Sequence, residues 1–443
     1  MAKIGRLIVI IAFSIAILLS AFGLPVAASG SQNNGQSNPG GYVKYTLILL
    51  NNTLVNGNFV NTVNGLGPWG IAYDPSNGYI YVTDSRSGTV SVINGTTVIA
   101  TIPVGQRPWG IAYDPSNGYI YVANSGSNTV SVINGTTNTV IATIHVGTGP
   151  KGIAYDSSNG YIYVANFISN TVSVINGANN TVITNIPVGG GPQGIAYDSS
   201  NGYIYVANFY SDTVSVIDGT TVIANITVGP GPIGVAYDPS NGYIYVVNSA
   251  YSGTVSVIDG TTVIATIHVG IEPWGIAYDP SDGYIYVTND GSDSVSVIDG
   301  TTVIATIPVG AVPMGVAYDS SNGYIYVANS LSNTVSVING TTVIANITVG
   351  LDPWGVAYDP SNGYIYVTNA GSGTVSIIST SVSTNSTSIS SVITSTTSST
   401  SASTTSTSTM PTPSAVPTLV VVAAVIVVLV SIAALLMIKL RKP

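Results

Sequence analysis

One block of sequence recurs eight times in this 443-residue chain, at spacings of 40 to 42 residues, and that repeat limits the fold more than any other feature. One copy, GIAYDPSNGYIYVTDSRSGTVSVINGTTVIATIPVG, runs from Gly70 to Gly105. Its opening glycine returns at Gly110, Gly152, Gly194, Gly234, Gly275, Gly315 and Gly355. All copies but the last hold four short segments rich in β-branched and aromatic residues, separated by turn residues. A repeat of this length and make-up predicts a β-propeller with one four-stranded blade per copy.

The segments read as strands in a fixed order. GIAY is the innermost, its small residues suited to a crowded axis. DPSNG is a turn: Asp bonds its own backbone two residues on, and Asn-Gly tolerates positive φ. YIYV is apolar on both faces, as expected of a strand sandwiched between neighbouring blades. TVSVIN follows, then an NG or DG turn. VIATIPV is outermost, and Pro103, Pro187 and Pro308 suit an edge strand that can lose a donor. The last copy, from Gly355 to Ser379, supplies only three strands. Gly57 to Gly65 (GNFVNTVNG) sits where VIATIPVG sits before every other blade, so an N-terminal strand is expected to complete the final blade and latch the ring. Tyr45 to Leu50 (YTLILL) resembles a further third strand. It either adds a fifth strand or displaces Thr374 to Ile378. The expected fold is all-β: an eight-bladed propeller over residues 42–378 with an N-terminal latch, plus a C-terminal transmembrane helix.

The flanks point to a membrane. Residues 1–28 read as a signal peptide, with Lys3 and Arg6 ahead of an apolar run and small residues at Ala27 to Ser29. Residues 29–41 are a linker. Residues 379–415 are almost wholly Ser and Thr, with too little apolar surface to build a core, and read as a stalk. Residues 416–438 include the uncharged run Thr418 to Ile438, long enough to span a bilayer. Lys439, Arg441 and Lys442 in the tail 439–443 place it in the cytoplasm and the propeller outside. The expected location is the cell surface, in a single-pass membrane protein. Between the apolar ends lie four basic residues and all eighteen acidic ones, 4 − 18 = −14. That sign disfavours nucleic acid as a partner. The chain has no Cys, which excludes disulfides and thiol catalysis.

YVTN at Tyr286 to Asn289 and Tyr366 to Asn369, with YVAN at Tyr121, Tyr163, Tyr205 and Tyr326, resembles the YVTN-repeat propellers found in archaeal surface-layer and cell-surface proteins. The resemblance covers about Gly57 to Ile378. Many members have seven blades, whereas this chain supplies eight copies. It implies a fold and no single activity, because related propellers include carriers, adhesins and scaffolds of redox enzymes.

Copies differ mainly in two places: the links between blades (GQRPWG, GTGPKG, GGGPQG and their equivalents) and the loops between second and third strands. In a propeller both loop sets share one face, and binding residues gather on variable loops over a constant scaffold. The slot before the opening glycine holds Trp69, Trp109, Lys151, Gln193, Ile233, Trp274, Met314 and Trp354. Phe167, Ile168, Phe209, Tyr210 and Tyr251 add surface from the other loops. The candidate binding residues are therefore Trp69, Trp109, Lys151, Trp274, Trp354, Phe167, Phe209, Tyr210 and Tyr251. Such rings suit sugar faces or protein hot spots; alternatively the tryptophans only plug the channel.

Catalytic chemistry is sparse. His145 and His268, the only histidines, occupy one slot of the outermost strand in different blades, which disfavours a shared metal site or dyad. The repeated aspartates from Asp74 to Asp359 read as turn formers. Asn289, Asp290 and Asp293 hint at calcium without the full loop pattern. No catalytic residue, metal or cofactor is expected. Eight N-x-S/T sequons, at Asn51, Asn94, Asn134, Asn179, Asn225, Asn339, Asn346 and Asn385, are glycosylation candidates, all off the variable face. The expectation is a non-catalytic surface-layer-associated, adhesion or recognition protein, partnered by a surface-layer protein, another cell-surface protein or a polysaccharide. The alternatives are a solute- or glycan-binding receptor using the channel mouth, or a lactonase- or quinoprotein-like enzyme.

Overall fold

The computed structural model describes residues 45–50, 53–60, 67–250 and 253–379. The signal segment, linker, tail and membrane segment 416–438 lie outside them, as do residues 380–415 of the stalk, Tyr251, Asn51 and Asn385. Among the described residues no helix is long and apolar enough to cross a membrane.

The chain forms eight antiparallel sheets, one per copy. Blade 1 shows the pattern: Pro68–Asp74 innermost, then Tyr79–Asp84, Thr89–Asn94 and Thr97–Pro103. Blades 2 to 7 repeat it, beginning at Pro108, Pro150, Pro192, Pro232, Pro273 and Pro313. Successive innermost strands touch, and that of blade 8, Pro353–Asp359, touches that of blade 1, so the ring closes. Second and third strands are almost wholly buried. Each blade's core contains residues of its neighbour: Tyr81, Val90 and Val92 of blade 1 pack with Ile120, Val122 and Ile133 of blade 2. Outermost strands alternate exposed and half-buried positions. A bulge there leaves Ile99 out of register between Val98 and Ala100, at 42% exposure.

The DPSNG turn behaves as its chemistry predicts. The Asp74 carboxylate accepts from the Ser76 amide at 2.8 Å and from Asn77 Nδ2 at 2.8 Å, and Asn77 Oδ1 accepts from the Tyr79 amide. The buried tyrosine of the second strand then fastens one blade to the next. Tyr163 Oη donates to the Gly219 carbonyl at 2.8 Å, and Tyr205 Oη to that of Gly260 at 2.8 Å. Burial raises the pKa of these phenols, that of Tyr163 to about 12, so they stay protonated donors.

Blade 8 has five strands. The N-terminal strand Thr53–Val60 pairs Gly57 to Val60 with Ile378 to Val375 and serves as its fourth strand. Tyr45–Leu50 pairs with that strand as a fifth, and Thr374–Ser379 keeps its place. This decides between the two alternatives that the sequence leaves open. Its pairing with Thr374–Ser379 begins at the expected Gly57, although the strand itself starts four residues earlier at Thr53, and it runs without the bulge of the other outermost strands. Residues 61–65 of the expected latch lie outside the described residues.

Candidate functional site at the channel mouth

The innermost strand opens with Pro-X-Gly, and the X side chains of all eight blades line one cavity of about 490 Å³ on the ring axis. The glycine after each X has a steric cause. A Cβ on Gly70 would fall inside van der Waals contact with the Trp109 carbonyl oxygen of the next blade. The same holds at Gly110 against Lys151 and at Gly194 against Ile233. Backbones press together at the axis, and the channel is lined by the X side chains together with these glycines and, in seven blades, the Ile or Val that follows.

Four tryptophans and one lysine dominate the lining. The Trp69 ring lies 4.4 Å from that of Trp109 and 4.2 Å from that of Trp354, centroid to centroid. Trp274 meets Trp354 edge-on at 5.8 Å. All four are half-buried, whereas Ile233 and Met314 are buried. Lys151 continues the chain of rings: its Nζ is 5.1 Å from the Trp109 centroid and 3.6 Å from that of Phe167. Phe167 then meets Tyr210 at 5.3 Å, and Tyr210 meets Phe209 at 5.2 Å. The result is one arc, Trp274–Trp354–Trp69–Trp109–Lys151–Phe167–Tyr210–Phe209. It joins eight of the nine residues expected on this face; Tyr251 lies outside the described residues.

The electrostatics of the arc are simple. Among the described residues Lys151 is the only ionisable one lining the cavity. Its Nζ donates to Gln193 Oε1 at 3.1 Å, and no carboxylate pairs with it among the described residues. Burial lowers its pKa. Trp354 Nε1 donates to Asp352 at 3.0 Å, and Asp352 also accepts from Ser330 Oγ. The other three indole N–H groups have no hydrogen-bond partner among the described residues.

Sequence reasoning missed the residues that hold this wall in place. Thr83 Oγ1 accepts from the Gly70 amide at 2.8 Å and donates to the Trp109 carbonyl at 3.1 Å. Thr288 does the same for Gly275 and Met314, and Thr368 accepts from the Gly355 amide. These threonines fix the strands that carry Trp69, Trp274 and Trp354. Their signal was present as YVT against YVA, since three of the four tryptophan-bearing blades carry the threonine. Asp352 was missed too; it occupies one of the variable links.

Other candidates are placed elsewhere. His145 and His268 end the outermost strands of blades 2 and 5 and are exposed. Asn289 is buried and turned inward, donating to Ser294 and Ser296, so it does not join Asp290 and Asp293. Burial, then the charges of Glu272 and Asp293, raise the pKa of Asp290. No group of three His, Cys, Asp or Glu among the described residues is placed to hold a metal. Sequons at Asn94, Asn179, Asn225, Asn339 and Asn346 are exposed, and Asn134 is half-buried.

Two stretches, residues 66–93 and 106–133, match the NHL repeat. With eight blades, this fits a repeat β-propeller family. No curated protein matches the chain. Solved structures similar to it include hydrazine synthase of Kuenenia stuttgartiensis, at 20% identity and a TM-score of 0.52, covering 73% of this chain and 98% of that one. The dihydro-heme d1 dehydrogenase NirN in complex with DHE is 15% identical, with a TM-score of 0.57 over 67% of this chain and 69% of that one. A catalytically inactive virginiamycin B lyase from Staphylococcus aureus with quinupristin is 13% identical, with a TM-score of 0.52 over 76% and 99%. At such identities the likeness shows the fold alone.

Proposed function

We propose that this chain is a non-catalytic recognition protein of the cell surface, whose channel-mouth face engages a surface-layer protein, another cell-surface protein or a polysaccharide. The aromatic arc carries this reading. It gathers on the one face where the copies diverge, and half-buried tryptophans beside a polar anchor are among the groups that dominate recognition energetics. The lining of the channel supports the non-catalytic part, because tryptophans, glycines, aliphatic residues, Gln193, Met314 and one lysine contain no acid–base pair. The sequence of residues 1–28 and 379–443 supports display outside the cell on a stalk, in the manner of the YVTN-repeat proteins it resembles.

The test compares the full chain with the variant carrying Trp69→Ala, Trp109→Ala and Trp354→Ala in capture of surface-layer and polysaccharide fractions. Each lost anchor should weaken binding by roughly thirtyfold, the equivalent of about 2 kcal/mol. Asn94→Gln with Asn134→Gln, on the opposite turns, should leave binding intact. Normal capture by the folded triple variant removes this face from the reading. Unfolding of that variant would mean that the rings only plug the channel.

A further inference from the structure

The half-buried Lys151 has no acidic partner among the described residues, although acidic residues outnumber basic ones in the chain by two to one, 18 against 9. Its contacts are two ring faces and one amide oxygen. A half-desolvated ammonium held this way gains most from an anion that enters the cavity. Beside it stands the ring of Trp109, with that of Trp69 next in the arc, and neither indole N–H has a hydrogen-bond partner among the described residues. Flat apolar faces with donors at their edges match the C–H face and hydroxyls of a sugar ring. The cavity volume lies within the range of small-ligand sites, about 300–1,000 Å³.

We propose that the channel mouth binds a pyranose ring bearing a carboxylate, as in a uronic acid residue, with the carboxylate on Lys151 Nζ and the ring face against the tryptophan arc. This rests on the recognition reading above and names its ligand class. The negative charge of the protein opposes approach only weakly, because it is screened beyond about 8 Å at physiological ionic strength. At contact the unpaired lysine dominates. Gln193, which accepts from Lys151, has its amide N–H groups left to donate to the same carboxylate.

The chain offers its own reporter, since all four of its tryptophans lie in the arc. Tryptophan emission of the full chain, excited where tyrosine does not absorb, should change on titration with methyl glucuronide. Methyl glucoside, its neutral counterpart, should bind at least about tenfold more weakly, the usual worth of a hydrogen bond to a charged group. Lys151→Gln should fold, because Gln193 fills the same slot in the next blade, and should bind both sugars equally at the glucoside level. Equal affinities in the wild type, or an unchanged preference in Lys151→Gln, would overturn the assignment. So would the absence of any response in both emission and calorimetry. In that last case, loss of surface capture by the triple tryptophan variant would leave the recognition reading standing and remove only the acidic sugar.

Discussion

The Tyr366 hydroxyl of blade 8 donates at 2.8 Å to the carbonyl of Gly95 in blade 1, 271 residues earlier in the chain. The equivalent bond links each of blades 1 to 6 to the next, so the closing interface is built like those internal ones; Tyr326 of blade 7 makes none to blade 8 among the described residues. Tyr366 also packs with Ile80, Val82 and Ile93 of blade 1. Tyr366→Phe leaves the carbonyl unpaired and should lower stability by about 1–2 kcal/mol, as should Tyr205→Phe. Deleting residues 42–60 should do more, because Thr374–Ser379 becomes an open edge. Melting and size-exclusion profiles check this; an unchanged monomer would show that the latch contributes nothing.

Asp84 stands where blades 2 to 8 carry Asn. It is 1% exposed, one carboxylate oxygen accepts from Ser91 Oγ at 2.8 Å, and the other has no partner among the described residues. Burial raises its pKa from 3.8 to about 6. The folded state therefore holds the proton more tightly than the unfolded state. That contribution is full below pH 3.8 and is lost as pH rises through 6, leaving a penalty of about 3 kcal/mol at pH 7. Asp84→Asn should raise Tm at pH 7 by several degrees and change it little at pH 4. A pH-independent gain would point to packing in place of titration.

Asp282 is the second Asn-to-Asp departure, in the DPSDG turn of blade 6. Asn77 donates to Asp74 in blade 1, but Asp282 can offer Asp279 only another carboxylate. Burial, with the charge of Asp279, raises its pKa. Asp282→Asn should restore the donor and stabilise the protein at neutral pH, with the gain shrinking as pH falls towards the carboxylate range. Chemical denaturation at two pH values checks it.

Gly194→Ala would drive a Cβ into the Ile233 carbonyl oxygen, a backbone atom that cannot yield. The loss should reach about 2–3 kcal/mol. Gly95→Ala, at φ +57° with nothing within 4 Å, should lose only about 1 kcal/mol from its left-handed backbone. Equal losses at the two sites would refute axial crowding as the reason for the repeated glycine.

The Ser/Thr composition of residues 379–415 predicts release of an intact propeller by protease added outside cells. Deglycosylated samples run beside native ones separate glycan shielding from topology. A protected propeller with a digested 439–443 tail would reverse the orientation.

By itself the sequence determined the eight blades, their strand order and the turn chemistry. Those follow from local periodicity and from Asp, Asn and Gly at fixed offsets, so each copy states them again. It also placed the tryptophan slots on one face, because a repeated position must recur at the same place in every blade. Only the tertiary structure decided what the slots become. Closure brings Trp354 against Trp69, and the channel geometry sets Lys151 between Trp109 and Phe167 with no counter-charge among the described residues. The threonines of YVT looked like ordinary strand residues until the neighbouring carbonyls were in place. Asp84 differs from its equivalents by one atom type, and only its burial makes that difference matter. Contacts across blades depend on ring closure and on local dielectric, and neither is written in a forty-residue period.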